Sequence, residues 1–167
     1  MSVRGLVAAA MLVVGTGVPV DASGPVRFAC SAEVSPRVVS AGATDQRFTL
    51  TVRNGPDLPS VFSVEEINLL RIQAPYDLPD WPPIAVVLPT SAGGPSPWTA
   101  RVVGNPPMIL YEQGRISLGS RTTFWTVADI TDHRGTFEWI VEASRDEGRT
   151  LQFCSPEFPG ALDITVT

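Results

Sequence analysis

The segment 129–135 (DITDHRG) gathers the residue types most able to do chemistry in this chain, with two carboxylates and the only histidine. Carboxylate oxygens combined with a loop carbonyl are typical calcium ligands, so Asp129 and Asp132 form a weak calcium candidate. Asp132 and His133 are also residue types of general acid–base catalysis. The regular Asp-x-Asp-x-Asp spacing of calcium loops is missing, however, and Asp and Gly are common in hairpin loops. We therefore predict a polar loop here, with no metal and no cofactor.

Nucleophilic catalysis would need a serine beside a histidine base, and His133 is the single candidate base. Ser117 lies in the segment 114–119 (GRISLG), which has the wrong spacing for a nucleophile elbow and lacks its strand-to-helix context. Neighbouring carboxylates such as Asp146 and Glu147 point to opposite faces of a strand, so they cannot share a site. The sequence thus predicts that the protein is not an enzyme. The alternative is a small secreted hydrolase or enzyme inhibitor that acts through the loops at one end of the fold.

Three aromatic residues lie in or beside a proline-rich segment, 75–98: Tyr76, Trp81 and Trp98. Flat apolar rings on a rigid exposed loop suit a sugar ring or a peptide, so these are possible ligand-binding residues. The partner would be a protein or glycan of the cell envelope. The alternative is packing, in which Trp98 begins a core strand and Trp81 covers the edge of a sheet.

Cys30 and Cys154 are the only cysteines, and they are predicted to form a disulfide. A metal or redox pair is disfavoured, because neither cysteine belongs to a Cys-x-x-Cys motif and the chain has one histidine. In the chain-entropy model, closing so long a loop stabilises the fold by about 4 to 5 kcal/mol.

The first residues have the pattern of a secretory signal peptide. Arg4 precedes an apolar run, 6–14, that is shorter than the roughly 20 residues needed to span a bilayer. Val20 and Ala22 supply the small or neutral residues of a cleavage site after Ala22. We predict a signal peptide at 1–22 and one mature domain at 23–167, secreted or otherwise extracytoplasmic, with no membrane span after cleavage. The alternative is a retained anchor.

The composition fits one domain of ordinary size, since the chain has 167 residues and is 44% hydrophobic. Its formal net charge of -5 makes it a poor partner for nucleic acid, whose phosphates attract basic surfaces. All 12 basic residues are arginine. Selection for bidentate ligand binding is one interpretation, but we favour GC-rich codon usage in a bacterial genome.

Apolar residues in the mature chain recur with a period of two, for example at Phe48, Leu50 and Val52. Side chains alternate between the two faces of a strand, so this pattern predicts sheets with one buried face. Trp125 and Trp139 lie within such runs and are predicted to belong to the core. Prolines restrict 75–98 to the edge of a sheet or a crossover between sheets. Strands are predicted at 26–35, 46–54, 66–74, 84–88, 98–103, 108–112, 121–130, 136–144, 150–154 and 161–167.

The order of these strands and turns resembles the Ig-like domains of bacterial and archaeal cell-surface and secreted proteins. The segments that carry the resemblance are 39–44 (VSAGAT), 48–55 (FTLTVRNG), 67–72 (INLLRI), 98–100 (WTA), 116–120 (ISLGS) and 135–144 (GTFEWIVEAS). It implies an all-β fold, an Ig-like two-sheet antiparallel β-sandwich with Greek-key connections, and a structural or binding role outside the cytoplasm. Such modules usually occur as repeats, whereas this one has its own predicted signal peptide, which favours binding over a spacer role.

Overall fold

The computed structural model describes residues 30–55, 66–77 and 83–167, which form fifteen β-strands and no helix. The predicted signal peptide, residues 1–22, and Trp81 lie outside these ranges. In chain order the strands are β1 (Cys30–Ser35), β2 (Val38–Val39), β3 (Gln46–Asn54), β4 (Leu69–Gln73), β5 (Tyr76–Asp77), β6 (Ile84–Ala85), β7 (Val87–Gly93), β8 (Thr99–Val103), β9 (Met108–Glu112), β10 (Arg121–Ile130), β11 (Gly135–Glu138), β12 (Ile140–Ser144), β13 (Gln152–Phe153), β14 (Ser155–Pro156) and β15 (Asp163–Val166).

Most strands belong to two five-stranded sheets. The first sheet has the order β14-β1-β3-β10-β7 and the second has the order β13-β12-β4-β9-β8. Alternation along the strands produces the buried faces: in β3, Phe48, Leu50 and Val52 are buried while the residues between them are not. The predicted all-β class is therefore confirmed, and the predicted bounds of β3, β9 and β10 match the structure.

The core lies between the inward faces of these two sheets. Phe48 of the first sheet meets Trp139 edge-on, with ring centroids 5.4 Å apart. Tyr111 of the second sheet packs on Phe124 of the first at 4.6 Å. Such aromatic contacts add roughly 0.5–1.5 kcal/mol each to the stabilisation from burial alone. Trp139 is almost fully buried, which confirms its predicted place in the core.

The disulfide joins Cys30 and Cys154, as predicted, across a separation of 124 residues. Both cysteines are buried in the core. The bond ties the first strand of the described chain to the link between β13 and β14, and therefore closes most of the domain into one loop. The described ranges contain no helix that is long and apolar enough to cross a membrane.

Two smaller sheets accompany the main pair, with the orders β11-β15-β2 and β5-β6. The pairs β1–β14 and β15–β2 are parallel, so the prediction of two purely antiparallel sheets was too simple. Strands of two residues carry no periodic signal, and the sequence therefore did not indicate them. The predicted strand 136–144 is divided at Trp139 into β11 and β12. β11 pairs with β15, whereas β12 pairs with β4.

The proline-rich segment also differs from its prediction. The predicted strand 84–88 is divided between β6 and β7. β6 pairs with β5, and β7 continues through Pro89 to Gly93 as an edge strand of the first sheet. Pro89 is accommodated because an edge strand needs no partner on its outer side. The pairing shifts between Val127 and Ala128, and this shift leaves Thr90 as the extra residue of a bulge. The predicted edge position is thus confirmed, and the strand extends past its predicted end at residue 88 to Gly93.

The turn after β12 depends on the ionised carboxylate of Asp146. Hydrogen bonds from the Ser144 hydroxyl at 2.7 Å and the Thr150 amide at 2.8 Å lower the pKa of Asp146 to about 2. A carboxyl pKa below its unfolded value of 3.8 adds stability that is present above pH 3.8 and is lost as the pH falls through about 2. The melting-temperature difference between wild type and Asp146→Asn is therefore expected to be present at pH 6 and to shrink towards pH 2.

The matched control for this pH prediction is Glu147→Gln. It removes the same charge one residue along, from a side chain outside this set of hydrogen bonds. Thermal melts of the three proteins between pH 2 and pH 6 measure the effect. A melting-temperature difference between wild type and Asp146→Asn that is equal at pH 2 and pH 6 would contradict the role given to the carboxylate.

Candidate binding site on the outer face of the first sheet

The acidic segment does not assemble a metal centre in the described part of the chain. Asp129 lies near the end of β10, where its Oδ1 accepts a hydrogen bond from the Asp45 amide at 3.0 Å. Asp132 is exposed in the loop that follows. Among residues 30–55, 66–77 and 83–167, no three His, Cys, Asp or Glu side chains group closely enough to hold a metal ion. The contact made by Asp129 instead fixes the loop that leads into β3.

His133 is half-buried, and its Nδ1 lies 3.4 Å from the Thr131 hydroxyl. That hydroxyl also donates to the Val86 carbonyl at 3.2 Å. Within the described ranges, no carboxylate lies within hydrogen-bond distance of the imidazole. Ser117 lies elsewhere and donates to the Glu66 carboxylate at 3.2 Å. The imidazole and this serine are therefore held by different partners.

The three predicted aromatic residues have different environments. Trp98 is 7% exposed and packs edge-on against Phe124 at 5.2 Å. A Cβ on Gly114 would come within 2.1 Å of its indole, so the ring fills the space above this glycine. Tyr76 is half-buried in the β5–β6 pair, and Trp81 lies outside the described residues. The packing interpretation thus holds for Trp98, and the described residues do not place these rings on one exposed surface.

A polar groove lies on the outward face of the first sheet, where β1, β3 and β10 run side by side. Its volume is about 250 Å³. We call it the β1–β3–β10 groove, and it is lined by Glu33, Thr51, Arg53, Gly119, Arg121 and Glu157. Strand alternation creates it, since the buried residues of each strand face the core and leave the polar ones on the other side.

Two arginines lie directly opposite each other in the groove. Arg53 of β3 is the cross-strand partner of Arg121 of β10, and Ser31 of β1 is its partner on the other side. Side chains at such positions have Cβ atoms about 4.5–5.5 Å apart, and like charges there repel each other. Both arginines are exposed. The fold therefore places two guanidinium groups side by side in a groove whose described lining also includes Glu33 and Glu157.

Only one of these arginines has a carboxylate partner in the described chain. Glu157 Oε1 lies 3.6 Å from Arg53 Nη1, and its other oxygen accepts a hydrogen bond from the Ser31 hydroxyl. Within the described residues no carboxylate lies in ion-pair range of Arg121. Glu157 therefore orients Arg53, while the guanidinium of Arg121 remains available to a ligand.

The loop that forms one wall of the groove is held from below by Asn54. The Gly119 amide donates to the Asn54 carbonyl at 2.6 Å, and the Asn54 amide donates to the Ser120 carbonyl at 2.9 Å. Gly119 has a φ of 77°, a conformation that favours glycine. A Cβ at this position would have no heavy atom within 4 Å, so this side of the groove is open.

Trp125 lies on the same outer face, and its predicted place in the core was wrong. Its neighbours Phe124 and Thr126 point inward, so alternation requires its ring to point outward. The indole covers Gly93 on the edge strand, and the Arg47 guanidinium lies 4.7 Å from its ring centroid. A cation–π contact of this kind contributes about 0.5–1 kcal/mol at an exposed site.

Sequence reasoning missed the groove, although its signal was partly present. Alternation along β3 and β10 places Arg53 and Arg121 on the polar face. Their meeting depends on the strand register, which the sequence does not state.

No protein-family model matches the chain, and no curated protein sequence matches it significantly. Among solved structures, it is similar to a chain described as a membrane-anchored protein of Corynebacterium diphtheriae, with 10% identity and a TM-score of 0.47 over 91% of this chain. It is also similar to a family 123 glycoside hydrolase of Clostridium perfringens, with 10% identity, a TM-score of 0.39 and 83% coverage. A third similar structure is the human F-spondin reeler domain, with 11% identity, a TM-score of 0.42 and 87% coverage.

The chain spans 37% of the Corynebacterium chain, 27% of the glycoside hydrolase and 95% of the reeler domain. At these scores the similarity assigns neither a family nor a function.

Proposed function

We propose that the protein is an extracytoplasmic, Ig-like β-sandwich that binds a glycan or protein of the cell envelope through the β1–β3–β10 groove, without catalysis. The observation that carries this proposal is the cross-strand pair of Arg53 and Arg121 at the surface of a concave site. Facing like charges cost stability, and a bound anionic or polar group offsets that cost. Ligand sites are concave and use a few precisely placed polar groups for specificity, and the arginine pair supplies such groups here.

The disulfide supports the extracytoplasmic part of the proposal. Bonds between buried cysteines such as Cys30 and Cys154 form and persist in oxidising compartments and are rare in the cytosol. The predicted signal peptide at 1–22 gives the same localisation. The two packed five-stranded sheets support an Ig-like sandwich, because that architecture places antiparallel sheets around one core.

The surroundings of the groove and of His133 support binding rather than catalysis. Glu157 is engaged by Ser31 and Arg53, and so acts as a positioning group for the arginine. The imidazole has a hydroxyl neighbour and lies outside the set of residues that lines the groove. Catalysis by a histidine base requires an oriented imidazole beside the reacting group.

The proposal is tested by measuring how much envelope glycan and protein the secreted protein retains when immobilised. Arg121→Ala is expected to lower the affinity for the captured partner about tenfold or more, since a hydrogen bond to a charged group contributes about 1.5–3 kcal/mol. Arg134→Ala is the matched control, because it removes the same charge from an exposed site outside the groove. The Arg134→Ala variant is expected to bind the captured partner with the same affinity as wild type.

A third variant, Trp81→Ala, tests recognition by the proline-rich segment. Loss of the partner with Trp81→Ala, together with normal capture by Arg121→Ala, would place recognition in that segment and contradict the groove. Equal capture by all variants would also contradict it. Release of glycan fragments by the wild-type protein would contradict the non-catalytic part of the proposal.

A further inference from the structure

The geometry points to a carboxylate-bearing sugar as the ligand: we propose that the groove binds a glycan containing uronic-acid units, with the sugar carboxylate between Arg53 and Arg121. This inference rests on the proposed function, because it takes the β1–β3–β10 groove as the binding site. It adds the chemical class of the ligand, and it follows from the charges, hydroxyls and size of the groove.

The arginine pair selects for a planar anion. A guanidinium presents its N–H groups in a fixed fork that matches a carboxylate in a bidentate manner. Arg53 and Arg121 come from adjacent strands and directly oppose each other, so one carboxylate placed between them contacts both. Arg53 is already oriented by Glu157, whose Oε1 lies 3.6 Å from its Nη1. The bound anion also relieves the repulsion between the two cations.

The charge around the pair excludes a dense polyanion. The whole chain has a formal net charge of -5, and the two arginines are the only basic residues in the described lining of the groove. Glu33 and Glu157 also line the groove, on the side of β1. A ligand with phosphates at every unit would meet both carboxylates as well as both arginines. A single carboxylate on an otherwise neutral unit avoids that repulsion.

The remaining lining favours a sugar over an acidic peptide. Glu33 and Glu157 supply oxygens that accept hydrogen bonds from sugar hydroxyls. Thr51 lies beside Glu33, and its hydroxyl is 3.2 Å from that of Thr123. None of the described residues that line the groove has an aliphatic or aromatic side chain, whereas peptides are anchored by apolar side chains in pockets.

The size of the groove fits one sugar unit with a path for the rest of the chain. Its volume of about 250 Å³ is slightly below the range of about 300–1,000 Å³ of pockets for drug-sized ligands. Above Gly119 no heavy atom lies within 4 Å of a Cβ position. We therefore expect a glycan with one uronic acid in the groove to continue on the side of Gly119.

Isothermal titration calorimetry with three probes tests the ligand class: a glucuronic-acid-containing oligosaccharide, the same oligosaccharide with its carboxyls reduced to alcohols, and a polyglutamate peptide. Wild type is expected to bind the acidic oligosaccharide at least about tenfold more tightly than the reduced one, the amount expected for a charged hydrogen bond. Arg121→Ala is expected to remove this preference, and Arg134→Ala to keep it. Glu33→Gln is expected to lower the affinity for the acidic oligosaccharide several-fold, because a carboxylate accepts hydrogen bonds from sugar hydroxyls more strongly than an amide does.

The outcomes separate this inference from the proposed function. The acidic and reduced oligosaccharides could bind with equal affinity, and Arg121→Ala could weaken both. This result would overturn recognition of the sugar carboxylate and leave the groove as the binding site. Binding of polyglutamate in preference to the oligosaccharide, strengthened by Glu33→Gln, would overturn the sugar in favour of an acidic peptide. Envelope capture that is unchanged in Arg121→Ala would instead overturn the proposed function, and the inference with it.

Discussion

Replacement of both Cys30 and Cys154 by alanine is expected to lower the free energy of unfolding by about 4 to 5 kcal/mol. The bond closes a loop with a sequence separation of 124 residues. In the chain-entropy model, its loss allows the unfolded chain many more conformations and leaves the native contacts largely unchanged. Alanine is the suitable replacement because both cysteines are buried and serine would bury two hydroxyls. Urea denaturation followed by circular dichroism measures the change.

Wild type unfolded in the presence of a thiol reductant is the control for this prediction. Reduction removes the bond but keeps both sulfur atoms in the core, so its midpoint is expected to lie close to that of the double alanine variant. The difference between these two proteins measures packing, and the difference from oxidised wild type measures the cross-link. A midpoint of the variant equal to that of oxidised wild type would show that the bond contributes no stability.

The strands that the sequence predicts best are those whose two faces differ most in polarity. β3 alternates Phe48, Leu50 and Val52 with polar residues over its whole length, and its predicted bounds match the structure. The predicted bounds of β10 also match, and Phe124 is buried while its neighbours are not, but Trp125 lies on the outer face and makes the polarity of that face less distinct. Alternation is a local property, so the sequence alone reveals it.

The short strands and the sheet order depend on contacts between distant parts of the chain. β2 consists of Val38 and Val39, and it exists because it pairs with β15 near the other end of the protein. The division of the predicted strand 136–144 at Trp139 has the same origin, since the two halves pair with different sheets. No local pattern marks such a change of partner.

The β1–β3–β10 groove could not be predicted from the sequence for a related reason. The aromatic pattern predicted Trp98 as a possible ligand-binding residue, but Trp98 packs in the core. No sequence pattern indicated Arg53 and Arg121, which line the groove. An exposed arginine within a strand is unremarkable by itself. Only the register, which places one of the two opposite the other, gives them a shared role.

Asn54 is of a residue type that is common in turns, but its side chain is buried and forms hydrogen bonds. Its replacement is the second prediction with a large expected effect on stability. Asn-Gly at 54–55 predicts a tight turn. In the structure Asn54 is the last residue of β3, in agreement with the predicted strand 46–54, and it is fully buried. Its Nδ2 donates to the Ile116 carbonyl at 2.9 Å, and its Oδ1 accepts from Arg145 Nη2 at 3.1 Å. The side chain thus connects β3 to two loops.

Asn54→Ala is expected to lower the free energy of unfolding by about 2.5 to 4 kcal/mol. The change removes one neutral hydrogen bond, which contributes about 1 kcal/mol, and one bond to a charged group, which contributes about 1.5–3 kcal/mol. Hydrogen exchange at residues 117–120 is expected to become faster, because the loop containing Ile116 loses its link to the strand. Urea denaturation measures the first effect and amide exchange the second.

Asn68→Ala is the matched control for the Asn54 variant. Asn68 also makes two hydrogen bonds to neighbouring backbone, through Nδ2 to the Arg145 carbonyl and through Oδ1 from the Glu147 amide, each at 3.0 Å. It is only half-buried, so water replaces part of what the substitution removes, and a loss of about 1 kcal/mol is expected. Burial then accounts for the difference between the two asparagines. Equal losses in both variants, or unchanged exchange at 117–120 in Asn54→Ala, would show that the wall of the groove is held by the backbone bonds of Asn54 and not by its side chain.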